Sequence, residues 1–186
     1  MQVAVHVQWD LDESIPTALA SSAGLAEQLT AAKQISVPTW NKWFGQWFVY
    51  LQPEISPIQS YELSLLLTDN SQIQTLNATY RQQDRPTDVL AFATLDQQFL
   101  PTALWSEVPV ELGDIIISVE TAALQAPEHY HTLEQELAWL ATHGLLHLLG
   151  WDHPNLEQLN LMLHQQQQLL EQIPWANPLG NTYRVC

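Results

Sequence analysis

Cysteine is all but missing from this chain: the only one, Cys186, is the last of 186 residues. No internal disulfide can form, so a fold stapled by bridges is excluded. Basic residues are nearly as scarce. Lys33, Lys42, Arg81, Arg85 and Arg184 stand against twenty acids, for a net charge of −15. Such a chain repels a polyanion at long range, which argues against nucleic-acid binding through a general basic surface. Arg81 and Arg85 fall within one five-residue stretch, the best place for a local cationic site. No apolar run approaches the ~20 residues of a membrane span. The start, "MQVAVHVQWD", lacks the basic-then-apolar pattern of a secretory signal. Internal repeats and a linker are also missing. These absences lead to the expectation of a soluble cytoplasmic protein with no membrane partner.

What is present is a chain with enough apolar residues, 46%, for a sizeable core. Its length suits one domain, expected over residues 1–172, with 173–186 as a C-terminal extension lacking periodicity. "VAVHVQW" alternates as a half-buried strand, with His6 on the solvent side. Residues 11–35 read as a variable loop or helix. Trp40, Trp43, Trp47 and Leu51 recur at helical spacing, a core stripe rather than a base-stacking platform. "YELSLLL" is a second strand. Asp69 and Gln72 form a capping box for a helix with Ile73, Leu76 and Tyr80 on its apolar face. "DRPTDV" is a loop, because Pro86 biases Arg85 away from helix. "VLAFA" and "DIIIS" are strands, separated by an irregular insertion over 95–110. Ser118 begins a short helix, and Thr132 with Gln135 opens a longer one that Gly150 ends. Pro154 starts a last helix to about Gln172, with the glutamines 165–168 on its surface. This order predicts an α+β domain with a small mixed sheet of about four strands and a metal-binding helix near the C-terminus.

That helix carries "HGLLHLLGWDH", residues 143–153. His143 and His147 are four apart, so they share one helical face about 6 Å apart along the axis. Gly150 lets the chain turn back, and His153 returns as a third ligand. The plain alternative is a pair of buried, hydrogen-bonded histidines and a surface one. Burial among leucines disfavours it, since each ring nitrogen then needs a partner, and a metal supplies one per ring. Structural zinc sites are usually closed by four ligands and rich in cysteine. Three neutral imidazoles leave a position open, the composition of catalytic zinc, although Asp152 or Cys186 could close the site. One Zn²⁺ per chain is expected. The spacing is also that of a metalloprotease helix, but Gly144 stands where such enzymes carry their glutamate base, which disfavours peptide hydrolysis.

"HGLLHLLGWDH" resembles the signature of the YbeY family of bacterial endoribonucleases, the rRNA maturation factors. "LNATYRQQDRPTDVLAF", residues 76–92, and "LGDIIIS", residues 112–118, are similar to two further blocks of that family in the same order. The resemblance runs from about residue 60 to residue 172. Ala91, Ala93 and Gln135 depart from it, standing where serine, proline and arginine are common. The resemblance implies a metal-dependent hydrolase fold and action on single-stranded RNA. It further implies roles in maturing the small-subunit 3′ end of an rRNA precursor and in ribosome quality control. It implies zinc ligation by His143, His147 and His153, carries the motif arginine to Arg81, and matches His131 to a family position.

Arg81 also has a physical reason to act. Phosphodiester hydrolysis builds charge on phosphoryl oxygens, and a guanidinium is a two-pronged partner for them. The bland alternative pairs Arg81 with Asp84 or Asp88 at a helix end. Arg85 reads as solvated. Glu136, seven residues before His143, shares its helical face; it orients a ligand histidine, poises a water, or is a surface glutamate near a helix start. His129 and His164 read as surface residues. Two functions follow. One is a zinc-dependent, single-strand-specific endoribonuclease. The other is a non-catalytic, zinc-stabilised ribosome-associated factor. With so few cations, either needs a partner, plausibly a ribosomal protein, to bring RNA near.

Overall fold

The computed structural model describes residues 1–11, 30, 32–94 and 107–175. Most of the segment expected as a variable loop or helix, most of the 95–110 insertion, and residues 176–186 with Arg184 and Cys186 lie outside the described residues. Among those described, four strands and five helices follow one another: β1 (Gln2–Asp10), α1 (Val37–Leu51), β2 (Ser60–Thr68), α2 (Asn70–Arg81), β3 (Val89–Ala93), β4 (Val110–Ser118), α3 (Val119–Gln125), α4 (Leu133–Leu148) and α5 (Leu156–Leu170). The α+β expectation, with a mixed four-stranded sheet, is met. None of these helices is long and apolar enough to cross a membrane.

The sheet runs β1-β2-β4-β3, with β1, β2 and β4 parallel and β3 antiparallel on the far edge. Alternation decides its faces. Val5, Leu63, Leu65, Leu67, Ile115 and Ile117 point into the main core, under α1 and α4. Leu90, Ile116 and Leu66 point the other way, onto Ile73 and Leu76 of α2. His6 lies on that second face beyond α2, exposed and 3.2 Å from Glu62.

The tryptophan stripe is core, as its spacing implies. Trp40, Trp43 and Trp47 are buried, joined by Phe44 and Phe48. Trp175 stacks on Trp43 at 5.5 Å and Ile173 is buried, so core packing continues past residue 172. Strand β4 starts four residues earlier than "DIIIS". A bulge between the Glu62 and Ser64 pairings hides its first part from a period-2 reading. Gly113 sits there at φ +124°, and a Cβ would meet the Phe92 carbonyl oxygen at 2.0 Å. No other residue fits that close approach of β4 to its neighbour β3.

Helix α2 is anchored at its start. Asp69 caps it, and Asn70 accepts from Ser118 Oγ at 2.6 Å and Thr121 Oγ1 at 2.7 Å. The Asn70 N–H donates to the buried Glu120 carboxylate at 2.6 Å. Arg81 is therefore held at the far end of a fixed helix. The last helix begins at Leu156, capped by Asn155, rather than at Pro154.

Candidate metal centre

Helix α4 starts with the expected capping box: the Thr132 and Gln135 side chains each bond the other's backbone N–H. Almost all of it is buried, lying across β3 and β4 and against α5. Its last two turns present His143 and His147. The helix then stops through Gly150, at φ +87°, and the Trp151 N–H returns to the Leu146 carbonyl at 2.9 Å. That turn brings His153 back.

The three imidazoles meet. Ring centroids are 4.6 Å apart for His143–His147, 5.5 Å for His143–His153 and 5.2 Å for His147–His153. One nitrogen from each lies within 4.8 Å of the others. The His143 and His147 Nε2 atoms are 3.0 Å apart. The outer nitrogens are engaged elsewhere: His143 Nδ1 with Gln166 Oε1 at 3.1 Å, and His147 Nδ1 with the Trp151 carbonyl at 2.9 Å. Carbonyl oxygens only accept, so both Nδ1 atoms carry the proton and both Nε2 lone pairs face inward. This donor set fits a divalent metal of the zinc class.

The local electrostatics favour the neutral form of His143 and His147, the form that binds metal. Burial lowers the pKa of His143, and the His153 and Arg81 charges push it the same way, against the Gln166 hydrogen bond and the Asp88 carboxylate. Burial, then His143 and His153, lowers that of His147 to about 4.

Arg81 is exposed in the last turn of α2. It pairs with neither Asp84 nor Asp88. Asp84 accepts from Gln74 at 2.8 Å, and Asp88 accepts from the Val89 N–H at 2.8 Å and Gln125 at 3.2 Å. Its charge reaches the site, since it acts on His143. Arg85 is exposed, with its guanidinium on Gln83 Oε1 at 3.0–3.2 Å.

Three sequence expectations need correction. Glu136 is neither a surface glutamate nor an orienter of the three histidines. It is fully buried and bonds His131 Nδ1 at 2.8 Å and His129 Nδ1 at 3.0 Å. His129 is consequently a half-buried partner rather than a surface residue; the chain reverses at Tyr130, φ 58°, to fold both histidines onto α4. Within the glutamine run, Gln166 is fully buried beside His143. Its place was signalled: Met162, Gln166, Leu169 and Ile173 form one stripe at helical spacing, and all four are buried. His164 is exposed, as expected.

Comparison with known proteins places the chain in a family. Residues 26–174 match the family model described as endoribonuclease YbeY. An endoribonuclease YbeY of Acaryochloris marina is 67% identical over 171 residues, covering 91% of this chain and 94% of that one. Those of a Nostoc species and of Trichormus variabilis are 47% and 46% identical, each over 173 residues, covering 93% of this chain and 91% and 95% of theirs. A family model over most of the chain and relatives along nearly its whole length agree, and the chain belongs to the YbeY family of endoribonucleases.

Proposed function

We propose that this protein is a zinc-dependent endoribonuclease that cuts single-stranded RNA, acting on an rRNA precursor at the small-subunit 3′ end and in ribosome quality control. The observation that carries the metal dependence is the pair of inward-facing Nε2 atoms 3.0 Å apart, with His153 beside them. His143, His147 and His153 would hold one Zn²⁺. Bound there, zinc supplies a Lewis acid that polarises phosphoryl oxygen and acidifies water. Arg81, exposed at the end of an anchored helix and paired with no acid among the described residues, binds the phosphate and takes up the charge that develops on its oxygens. The buried walls of α4 keep the His143 and His147 rings fixed while the RNA docks. Net charge of −15 leaves RNA delivery to a partner, for which a ribosomal protein is the natural chemistry.

The test is cleavage of a defined single-stranded RNA by metal-loaded and metal-stripped protein, side by side. Cutting by the loaded form alone supports the proposal; equal cutting by both removes the metal from the reaction. One observation favours a second reading, a non-catalytic ribosome-associated factor stapled by zinc. The glutamate base of the metalloprotease motif is missing: Gly144 follows His143, and Glu136 belongs to another cluster. Under that reading zinc raises the melting temperature and RNA stays intact.

A further inference from the structure

Gln166 projects from α5 onto α4 and is fully buried. Both ends of its amide are engaged. Nε2 donates to the Trp139 carbonyl at 3.3 Å, and Oε1 lies 3.1 Å from His143 Nδ1. The Trp139 carbonyl can only accept, so the amide nitrogen must point there and the amide oxygen toward His143. An oxygen at that place selects one tautomer of His143, with the proton on Nδ1 and the lone pair on Nε2. At His147 the Trp151 carbonyl has the same effect through the main chain. The histidines therefore have unlike supports: one comes from the backbone of their own helix end, the other from a side chain of the next helix.

We propose that Gln166 is a positioning residue that fixes the tautomer and rotation of His143, so that Nε2 is presented to a divalent metal. The proposal rests on the reading of His143, His147 and His153 as a metal site. A glutamine suits the position. It is a neutral acceptor, so its burial lacks the desolvation cost of a carboxylate, and its second end gives the ring a fixed reference on α4.

The experiment is a zinc affinity measurement by chelator competition on the full chain, for wild type, Gln166→Leu and Gln166→Glu. Leucine removes the acceptor at similar bulk; glutamate keeps an acceptor toward His143 but sets its other oxygen against the Trp139 carbonyl. Loss of such an outer partner typically weakens metal binding by about 10–100-fold, the result expected for Gln166→Leu, with Gln166→Glu falling between that variant and wild type. A folded Gln166→Leu protein that binds zinc as tightly as wild type overturns the proposal. Should that variant not fold, ¹⁵N spectra of zinc-loaded wild type decide. A His143 Nδ1 proton protected from exchange supports the proposal; zinc on Nδ1, or a freely exchanging proton, ends it. A wild type that binds no zinc sinks the metal reading itself, whereas unchanged affinity in the variant sinks only the role of Gln166.

Discussion

The two ends of α4 each carry a three-residue cluster with ligand-type atoms within 4.8 Å of one another, and they differ in what completes them. At the first turn Glu136 receives the Nδ1 atoms of His129 and His131. A carboxylate accepts and an imidazole N–H donates, so that cluster satisfies itself. It also lies in the first turn of a helix, where backbone N–H groups favour negative charge. At the last turn the cluster contains only nitrogens. The outer ones of His143 and His147 are already taken by oxygens, and their inner ones face each other. Proximity of ligand-type residues thus does not itself make a metal site; the sign of the inward-facing atoms does. The first cluster locks a loop onto the helix, and the second calls for a cation.

Removing the cation-binding end should have the largest effect. His147→Ala is expected to lose the metal and at least a hundredfold in RNA cleavage, roughly the several kcal/mol that a catalytic metal contributes. Metal analysis and a cleavage assay on the same sample check it; full cleavage by a metal-free variant would break the contrast between the ends.

Arg81→Ala sharpens the comparison by leaving both clusters intact. Loss of one charge-assisted phosphate contact, about 1.5–3 kcal/mol, corresponds to roughly 10–150-fold in kcat/KM. Metal content and melting temperature should stay at wild-type levels. A variant that unfolds or drops its metal makes Arg81 structural.

Glu136→Leu tests the self-satisfied end. It strands the buried His131 N–H at a cost of about 1–3 kcal/mol, with a smaller loss at the half-exposed His129. Denaturant titration should report that loss, while zinc affinity remains within a few-fold of wild type. A large fall in affinity with little change in stability would show that the two ends are not independent.

The smallest effect is expected from pH on the metal-free protein. The His147 pKa is about 4 in the folded chain against an ordinary 6.5, so the unfolded chain binds the proton first as pH falls. Its contribution to stability is therefore complete above about pH 6.5 and declines from there toward pH 4. Wild type should lose more stability than His147→Gln over that interval. Equal losses would mean that His147 titrates as in water.

How much of this was legible in the sequence follows from how local each feature is. His143 and His147 lie one helical turn apart, and Gly150 fixes the return of His153, so eleven consecutive residues contain that arrangement. The caps at Asp69, Ser118, Thr132 and the stripe of α1 are equally local. Glu136 and Gln166 were misread because each depends on which elements cover it. Both sit on apolar stripes, Glu136 with Leu133, Leu137 and Leu140, and only the docking of a loop and of α5 makes those positions interior. The early part of β4 escaped because a bulge breaks alternation where Gly113 pairs with β3.

The contact beneath Gly144 has a consequence for what this fold can become. A Cβ at that position would lie 2.7 Å from Ile115 Cγ2, inside van der Waals contact with a buried strand. A metalloprotease of the same helical spacing needs a glutamate there. Here the glutamate would point into β4 rather than over the metal, and it would first have to displace a core isoleucine. One codon separates the two motifs on paper. In three dimensions the sheet stands in the way, and the path from RNA chemistry to peptide chemistry on this scaffold requires rebuilding the packing between α4 and β4.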